Sequence, residues 1–246
     1  MASFLVAMGS GDPAPWIKNF RELLPDFDIV SLGDNIDPQS VRYVMTWYHP
    51  PGSLSRFPNL KAIFSLGAGV DHMFRDPDLP NVPMARVVDP DLTNRMSEYV
   101  MLHSLSILRQ TRRYRIQQSQ TLWEDDDWQP AAQDVRIGIM GMGVLGTDAA
   151  RKLKLIGFDV AGWSKSPKQI DAIKTYTGAE DLAAFLARTD ILVTLLPLTP
   201  ETRGIINSPL LKGLARDGRV SAPSLINAGR GGLQIDADIL SCLDDG

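Results

Sequence analysis

Residues 135–146 read Val135-Arg136-Ile137-Gly138-Ile139-Met140-Gly141-Met142-Gly143-Val144-Leu145-Gly146. A short apolar, β-rich run ends in a G-x-G-x-x-G turn, and a helix-forming segment, residues 147–156, follows at once. Each glycine has its own task. Gly141 lets the chain leave the strand sharply, Gly143 leaves room for a pyrophosphate beside the backbone, and Gly146 lets the helix pack closely on the strand. The helix N-terminus then offers free N–H groups and its positive dipole end to the phosphates. A second strand over 158–163 completes a βαβ unit, so Gly141, Met142, Gly143, Val144, Leu145 and Gly146 are the expected phosphate contacts of a dinucleotide. A purely structural glycine turn is the competing reading.

The second strand ends where a ribose discriminator belongs. An NAD site places Asp or Glu about 20 residues past the first glycine, to accept from the ribose 2′-OH. This chain has Trp163-Ser164-Lys165-Ser166-Pro167-Lys168 there. With no carboxylate in that stretch to repel a 2′-phosphate, and hydroxyls and cations to hold one, NADP(H) is the expected cofactor and NAD(H) the second choice. The plain alternative is a solvated basic turn.

At 246 residues the chain can bury a sizeable core and suits two domains. A net charge of −4 argues against nucleic acid or an anionic membrane as partner. The single cysteine, Cys242, excludes an internal disulfide and fits a reducing compartment, and the apolar setting reads as a packed thiol. The first eight residues lack a basic n-region, and no apolar run approaches the roughly 20 residues of a membrane span. A cytoplasmic protein is expected, with no metal site.

Ahead of the glycine turn, strands are expected over 4–8, 28–32, 41–47, 60–66 and 83–88, with a helix over 16–24. Strands alternating with helices predict parallel sheets, whose ligands bind beyond the strand C-termini. Trp47-Tyr48-His49 and Gly67-Ala68-Gly69 fall at that edge. The glycine pair is either an anion nest or a tight turn. One long helix is expected from Thr93 to about Gln118, capped by Asp91, Thr93 or Asn94, with His103 as a core residue and His72 in solvent. An acidic arm between Trp123 and Trp128 suggests a subunit contact, hence a homodimer, with packing on the chain's own surface as the alternative. After the βαβ unit come strands at 173–176, 191–196 and 224–227, helices at 182–187, 208–214 and 236–243, and Gly246 placed as a C-terminal cap.

Five stretches point one way: Ser65-Leu66-Gly67-Ala68-Gly69-Val70-Asp71, Met96-Ser97-Glu98-Tyr99, residues 141–146, Leu196-Pro197-Leu198-Thr199-Pro200-Glu201-Thr202, and Asn227-Ala228-Gly229-Arg230-Gly231. Together they resemble the D-isomer-specific 2-hydroxyacid dehydrogenase family across nearly the whole chain. Tyr48-His49-Pro50-Pro51, Trp163-Ser164-Lys165 and Tyr114-Arg115-Ile116-Gln117-Gln118 look most like its glyoxylate/hydroxypyruvate reductase A branch. The resemblance implies an α/β fold of two parallel-sheet domains, flavodoxin-like and Rossmann-like, joined by a long helix. Residues 1–92 would form the substrate domain, 93–132 the interdomain helix and dimerisation arm, and 133–246 an incomplete dinucleotide-binding domain.

It also implies hydride transfer to the C2 carbonyl of a small 2-oxo acid. Arg230 matches the family's catalytic arginine, and a planar guanidinium fork suits a carboxylate and a ketone together. Ala68 and Gly69 match the carboxylate-binding turn, Trp47 would line the substrate pocket, Trp163, Ser164 and Lys165 would hold the ribose end, and Leu196, Pro197 and Ala228 would border ribose and nicotinamide. The family's proton-donating histidine and its glutamate lie downstream of the arginine, and His49, His72 and His103 match neither. The chain is therefore expected to be an incomplete form of a longer enzyme. Other members of the family, phosphoglycerate- or lactate-type, and a non-catalytic dinucleotide sensor are the alternatives.

Overall fold

The computed structural model describes residues 1–245, so Gly246, read above as a cap, lies outside the described residues. The chain divides into two compact units, Met1–Asp89 and Pro90–Gly246. Each is built on one five-stranded, all-parallel sheet.

The first unit contains β1 (Ala2–Met8), α1 (Ala14–Leu23), β2 (Phe27–Ser31), β3 (Val41–Trp47), β4 (Ala62–Ser65) and β5 (Met84–Arg86), with strand order β2-β1-β3-β4-β5. Alternation along β1 serves both faces: Phe4 and Val6 pack with Ile29 and Met45 under Trp16, Ile17 and Phe20 of α1. Leu5 and Ala7 join Val44, Ile63, Leu54, Phe57 and Met73 on the other side. A strand buried on both faces must read as a continuous apolar run, which is why β1 shows no polar alternation. The order reverses between β1 and β3, so the C-terminal ends of β1 and β3 border the crevice where such sheets take ligands.

The second unit opens with two helices, α2 (Pro90–Leu108) and α3 (Thr111–Ser119), followed by β6 (Arg136–Met140), α4 (Val144–Ile156), β7 (Asp159–Ser164), β8 (Lys174–Thr177), α5 (Leu182–Ala187), β9 (Ile191–Thr194), α6 (Ser208–Lys212), β10 (Ser224–Asn227) and α7 (Asp236–Asp244). Its order is β10-β9-β6-β7-β8, with the reversal between β6 and β9. Ile137, Ile139, Ile191, Val193 and Ile226 face α2 and α4, while Met140, Leu192 and Trp163 face Phe185, Leu186 and Leu210. The glycine turn leaves β6 at the reversal point itself.

The long helix departs from expectation at both ends. It starts at Pro90, because proline suits the first helical position, and this puts Asp91, Thr93 and Asn94 inside the helix. Asp91 instead pairs with Arg95 one turn on. It also breaks after Leu108, where Gln110 adopts a left-handed conformation at φ 49°. That costs a non-glycine residue roughly 1–2 kcal/mol. The break is held from the arm: Gln110 Nε2 donates to Asp126 Oδ2 at 2.6 Å, and Arg113 reaches the same oxygen at 3.3 Å. Ser97, in the first half, is fully buried and donates to Asp148 of α4 at 2.6 Å, where Lys152 also donates at 2.7 Å. Burial pushes the Asp148 carboxyl up, but these two donors outweigh it and hold it below its ordinary range.

Candidate functional site

In the second unit the glycine turn behaves as its spacing predicts. Gly141 sits at φ 106°, and a Cβ there would lie 2.7 Å from the Leu195 carbonyl oxygen. Gly143 has nothing within 4 Å of where its Cβ would be. It is also the N-cap of α4, with no side chain capping the helix. The first-turn N–H groups of α4 therefore have no intrahelical acceptor, and with the open face at Gly143 they could receive an anion. Helix α4 begins at Val144, three residues before the sequence suggests, so Val144, Leu145 and Gly146 are themselves first-turn donors. Met142 is buried against the sheet, its side chain over Gly162, so only its backbone can meet a ligand.

At the end of β7, Trp163 is buried and its indole N–H donates to the Gly178 carbonyl at 2.8 Å. Ser164 Oγ donates to the Ser166 carbonyl at 2.8 Å, leaving the serine oxygen as an acceptor only. Lys165 is exposed. One carboxylate does lie nearby. Glu201, on the loop after β9, has its carboxyl held below the usual range by a hydrogen bond from Thr199 first, with the Lys165 charge contributing. The linear stretch at 163–168 gives no hint of it, because the acid arrives from another strand.

The loops after β9 and β10 lie against each other. A Cβ on Gly229 would come 2.8 Å from the Leu196 carbonyl oxygen. Asn227 organises the second loop: it accepts from Thr194 Oγ1 at 2.9 Å and from the Gly229 amide at 3.2 Å, and donates to the Arg230 carbonyl at 3.1 Å. Ala228 continues the sheet through Thr194, and Arg230 is exposed in extended backbone, its guanidinium donating to the Gly229 carbonyl at 3.0 Å. The structure thus gathers Gly141, Met142, Gly143, Val144, Leu145, Gly146, Trp163, Ser164, Lys165, Leu196, Pro197, Ala228 and Arg230 along the C-terminal edge of one sheet.

In the first unit Trp47, at the end of β3, packs its ring so closely over Gly67 that a Cβ on the glycine would overlap it. Trp47 and the turn through Ala68 and Gly69 are therefore neighbours. No acceptor for the Ala68 or Gly69 amide is found among the described residues. Behind them sit two histidines. His72 is buried, contrary to its expected solvation, because residues 73–75 form a 3-10 turn that folds it back beneath Tyr48 and Trp47. His49 is also buried, between Thr46 Oγ1 at 2.7 Å and Asp76 Oδ2 at 3.1 Å. Burial pushes the Asp76 carboxyl up, yet the amides of Gly52 and Asp78 and the His49 ring outweigh it and hold it below its usual value. With both ring nitrogens engaged, His49 serves this loop. His103 is half-buried on α2, edge-on to Tyr99 at 4.3 Å.

Comparison with known proteins agrees with this arrangement. The model of the family "D-isomer specific 2-hydroxyacid dehydrogenase, NAD binding domain" matches residues 101–246. Glyoxylate/hydroxypyruvate reductase A of Serratia proteamaculans is 37% identical over 238 residues, covering 94% of this chain and 74% of that protein. Among solved structures, an NADPH-dependent glyoxylate/hydroxypyruvate reductase from Sinorhizobium meliloti, in complex with NADP and sulfate, is 47% identical with a TM-score of 0.89. It is covered over 78% of its length by the whole of this chain. A probable 2-hydroxyacid dehydrogenase from Rhizobium etli, in complex with NADP, HEPES and tartaric acid, is 41% identical with a TM-score of 0.92 at the same coverage.

Proposed function

Because the chain belongs to the D-isomer specific 2-hydroxyacid dehydrogenase family, we propose that it works as an NADPH-dependent reductase of small 2-oxo acids, taking glyoxylate to glycolate and hydroxypyruvate to glycerate. The observation that carries this is the uncapped N-terminus of α4 at the sheet's reversal point, open at Gly143 and flanked by Lys165 rather than by a carboxylate on β7.

The chain's residues fit the cofactor as follows. The backbone of 141–146 holds the pyrophosphate, Lys165 meets the ribose 2′-phosphate beside Trp163, the Ser164 hydroxyl joining it by turning its proton away from the Ser166 carbonyl, and Leu196, Pro197 and Ala228 border ribose and nicotinamide. When bound, the nicotinamide supplies the hydride that adds to the C2 carbonyl carbon. The amides of Ala68 and Gly69 hold the substrate carboxylate, Trp47 lines the substrate, and Arg230 polarises the ketone oxygen through a planar pair of donors. The first unit then serves as substrate domain and the second as dinucleotide domain. Trp123 and Trp128, 93% and 90% exposed on the arm, support a homodimer, and the single cysteine supports a cytoplasmic setting.

The new alkoxide must also gain a proton. In the family this comes from a histidine paired with a glutamate beyond the arginine, and residues 231–246 contain neither. A positioned acid contributes about 10²–10⁴-fold to such a step.

Loss of NADPH absorbance on adding glyoxylate tests the reading. NADPH binding without oxidation by any small 2-oxo acid, even with the downstream histidine and glutamate supplied in a chimera, would favour a sensor instead. The cofactor assignment has its own test in Lys165→Asp. Removing one charge-assisted hydrogen bond, worth roughly 1.5–3 kcal/mol, should weaken NADPH about 10- to 150-fold and leave NADH unchanged or tighter. Equal effects on the two cofactors would refute Lys165 as the ribose discriminator.

A further inference from the structure

His72 and Ser65 are buried polar residues to which the proposed chemistry gives no role, yet they are wired to the turn that it uses. The Tyr48 amide points at His72 Nδ1, 3.3 Å away. A backbone N–H can only donate, so Nδ1 is the acceptor and the ring proton sits on Nε2. Nε2 then donates to Ser65 Oγ at 3.0 Å. Ser65 in turn donates to the Gly67 carbonyl at 2.9 Å and accepts from the Gly67 amide at 3.3 Å. Three links run in one direction, from the end of β3 to the first peptide of the turn.

We propose that His72, acting through Ser65, is a positioning residue that orients the turn at 67–69 so that the Ala68 and Gly69 amides receive a 2-oxo acid carboxylate. The inference rests on the reductase reading above. Both sides of the turn are fixed: the Trp47 ring lies against Gly67, and the hydroxyl of Ser65 grips both polar groups of the same glycine. Tyr48 is held at φ 50°, a conformation that side chains rarely adopt, with its amide on His72 and its ring 5.1 Å from the imidazole. His49 offers a contrast within the same unit. It is equally buried, but its contacts tie Thr46 to Asp76 and never reach the 67–69 turn. Burial alone therefore does not account for the path through His72.

The test is calorimetric titration of oxalate, a stable dicarboxylate, into the NADP⁺-loaded protein. Ser65→Ala removes the bonds to Gly67, and His72→Asn removes the donor that orients Ser65 while keeping an acceptor for Tyr48; each should weaken oxalate about tenfold, the worth of one hydrogen bond to a charged group. The double variant should be no weaker than either single one. His72→Gln keeps a donor near Nε2 and should recover most of the affinity. NADPH affinity should stay constant throughout, and so should kcat at saturating glyoxylate wherever turnover is measurable, so that the loss falls on KM. Nitrogen NMR of the cofactor-free protein gives a separate readout: Nδ1 unprotonated and Nε2 protonated. Wild-type oxalate affinity in Ser65→Ala and His72→Asn, or the opposite tautomer, overturns the positioning role alone. Wild-type protein that binds NADPH but not oxalate overturns the substrate reading and this inference together.

Discussion

Gly146→Ala is expected to lower the stability of the second unit by about 1–3 kcal/mol, the cost of overpacking a closed core, and to weaken NADPH at least ~100-fold. The added methyl would overlap the carbonyl oxygen of Gly141. This is backbone against backbone, with no side chain to swing aside. Gly141 cannot retreat, because it is at φ 106° with the Leu195 carbonyl oxygen 2.7 Å from its own Cβ position. Relief must come from lifting the first turn of α4 off β6, which displaces the N–H groups proposed to hold the phosphates. Gly143→Ala separates folding from function at the same turn. Its Cβ would enter open space at φ −83°, so stability should hold while the methyl occupies the pyrophosphate's approach. Thermal unfolding and fluorescence titration of NADPH read both effects. A Gly146→Ala protein with wild-type melting and wild-type affinity would mean that α4 does not depend on close approach to β6, and the phosphate assignment would go with it.

The glycine turn was legible because everything that defines it is local: a strand end, a left-handed glycine, a helix start. Both sheets followed from apolar runs punctuated by turns, and two parallel sheets agree with that pattern, whereas the strand order came only with the structure. What the sequence hid depends on partners far along the chain. The helix break at Gln110 has no glycine or proline to announce it; its anchor, Asp126, is 16 positions away. His72 follows a glycine turn and one charged neighbour, Asp71, which reads as solvent, until the 3-10 turn at 73–75 folds it under two aromatic rings. The Lys165 charge acts on Glu201, a carboxylate on the loop after β9, invisible in the basic stretch that contains the lysine. Periodicity reports which face of an element is buried. It is silent on which polar group a distant segment will deliver to that face.

The largest such hidden partner predicts the largest loss of stability. Arg136, the first residue of β6, donates through Nε and Nη2 to both carboxylate oxygens of Asp190, at 3.0 and 2.8 Å, and its own amide donates to Asp190 Oδ2 at 2.8 Å. The Asp190 side chain is 1% exposed. It lies just ahead of β9, with its backbone bonded to Arg136 on one side and to Ser224 on the other, so it joins three strands at the edge opposite the glycine turn. The hydrogen bonds it donates to Asp190 and Asp217 hold the Arg136 guanidinium even more firmly protonated than usual. Arg136→Met keeps the bulk and removes the charge, leaving a buried carboxylate with one amide donor. Such a broken pair costs about 3–5 kcal/mol, and urea unfolding should report it as a lower midpoint with an unchanged slope. Asp217 adds little, being 80% exposed. Its carboxyl is held low by the Arg136 hydrogen bond, so its contribution is present above the ordinary carboxylate pKa and lost as pH falls through the lowered one. The double variant Arg136→Met with Asp190→Asn no longer buries a charge and should regain more than half of the loss, and NADPH affinity should be unaffected in both because the proposed cofactor contacts lie at the other edge of the sheet. A loss below about 1 kcal/mol in Arg136→Met would show that Asp190 is solvated or neutral in the folded protein, and the three-strand clamp would have to be abandoned.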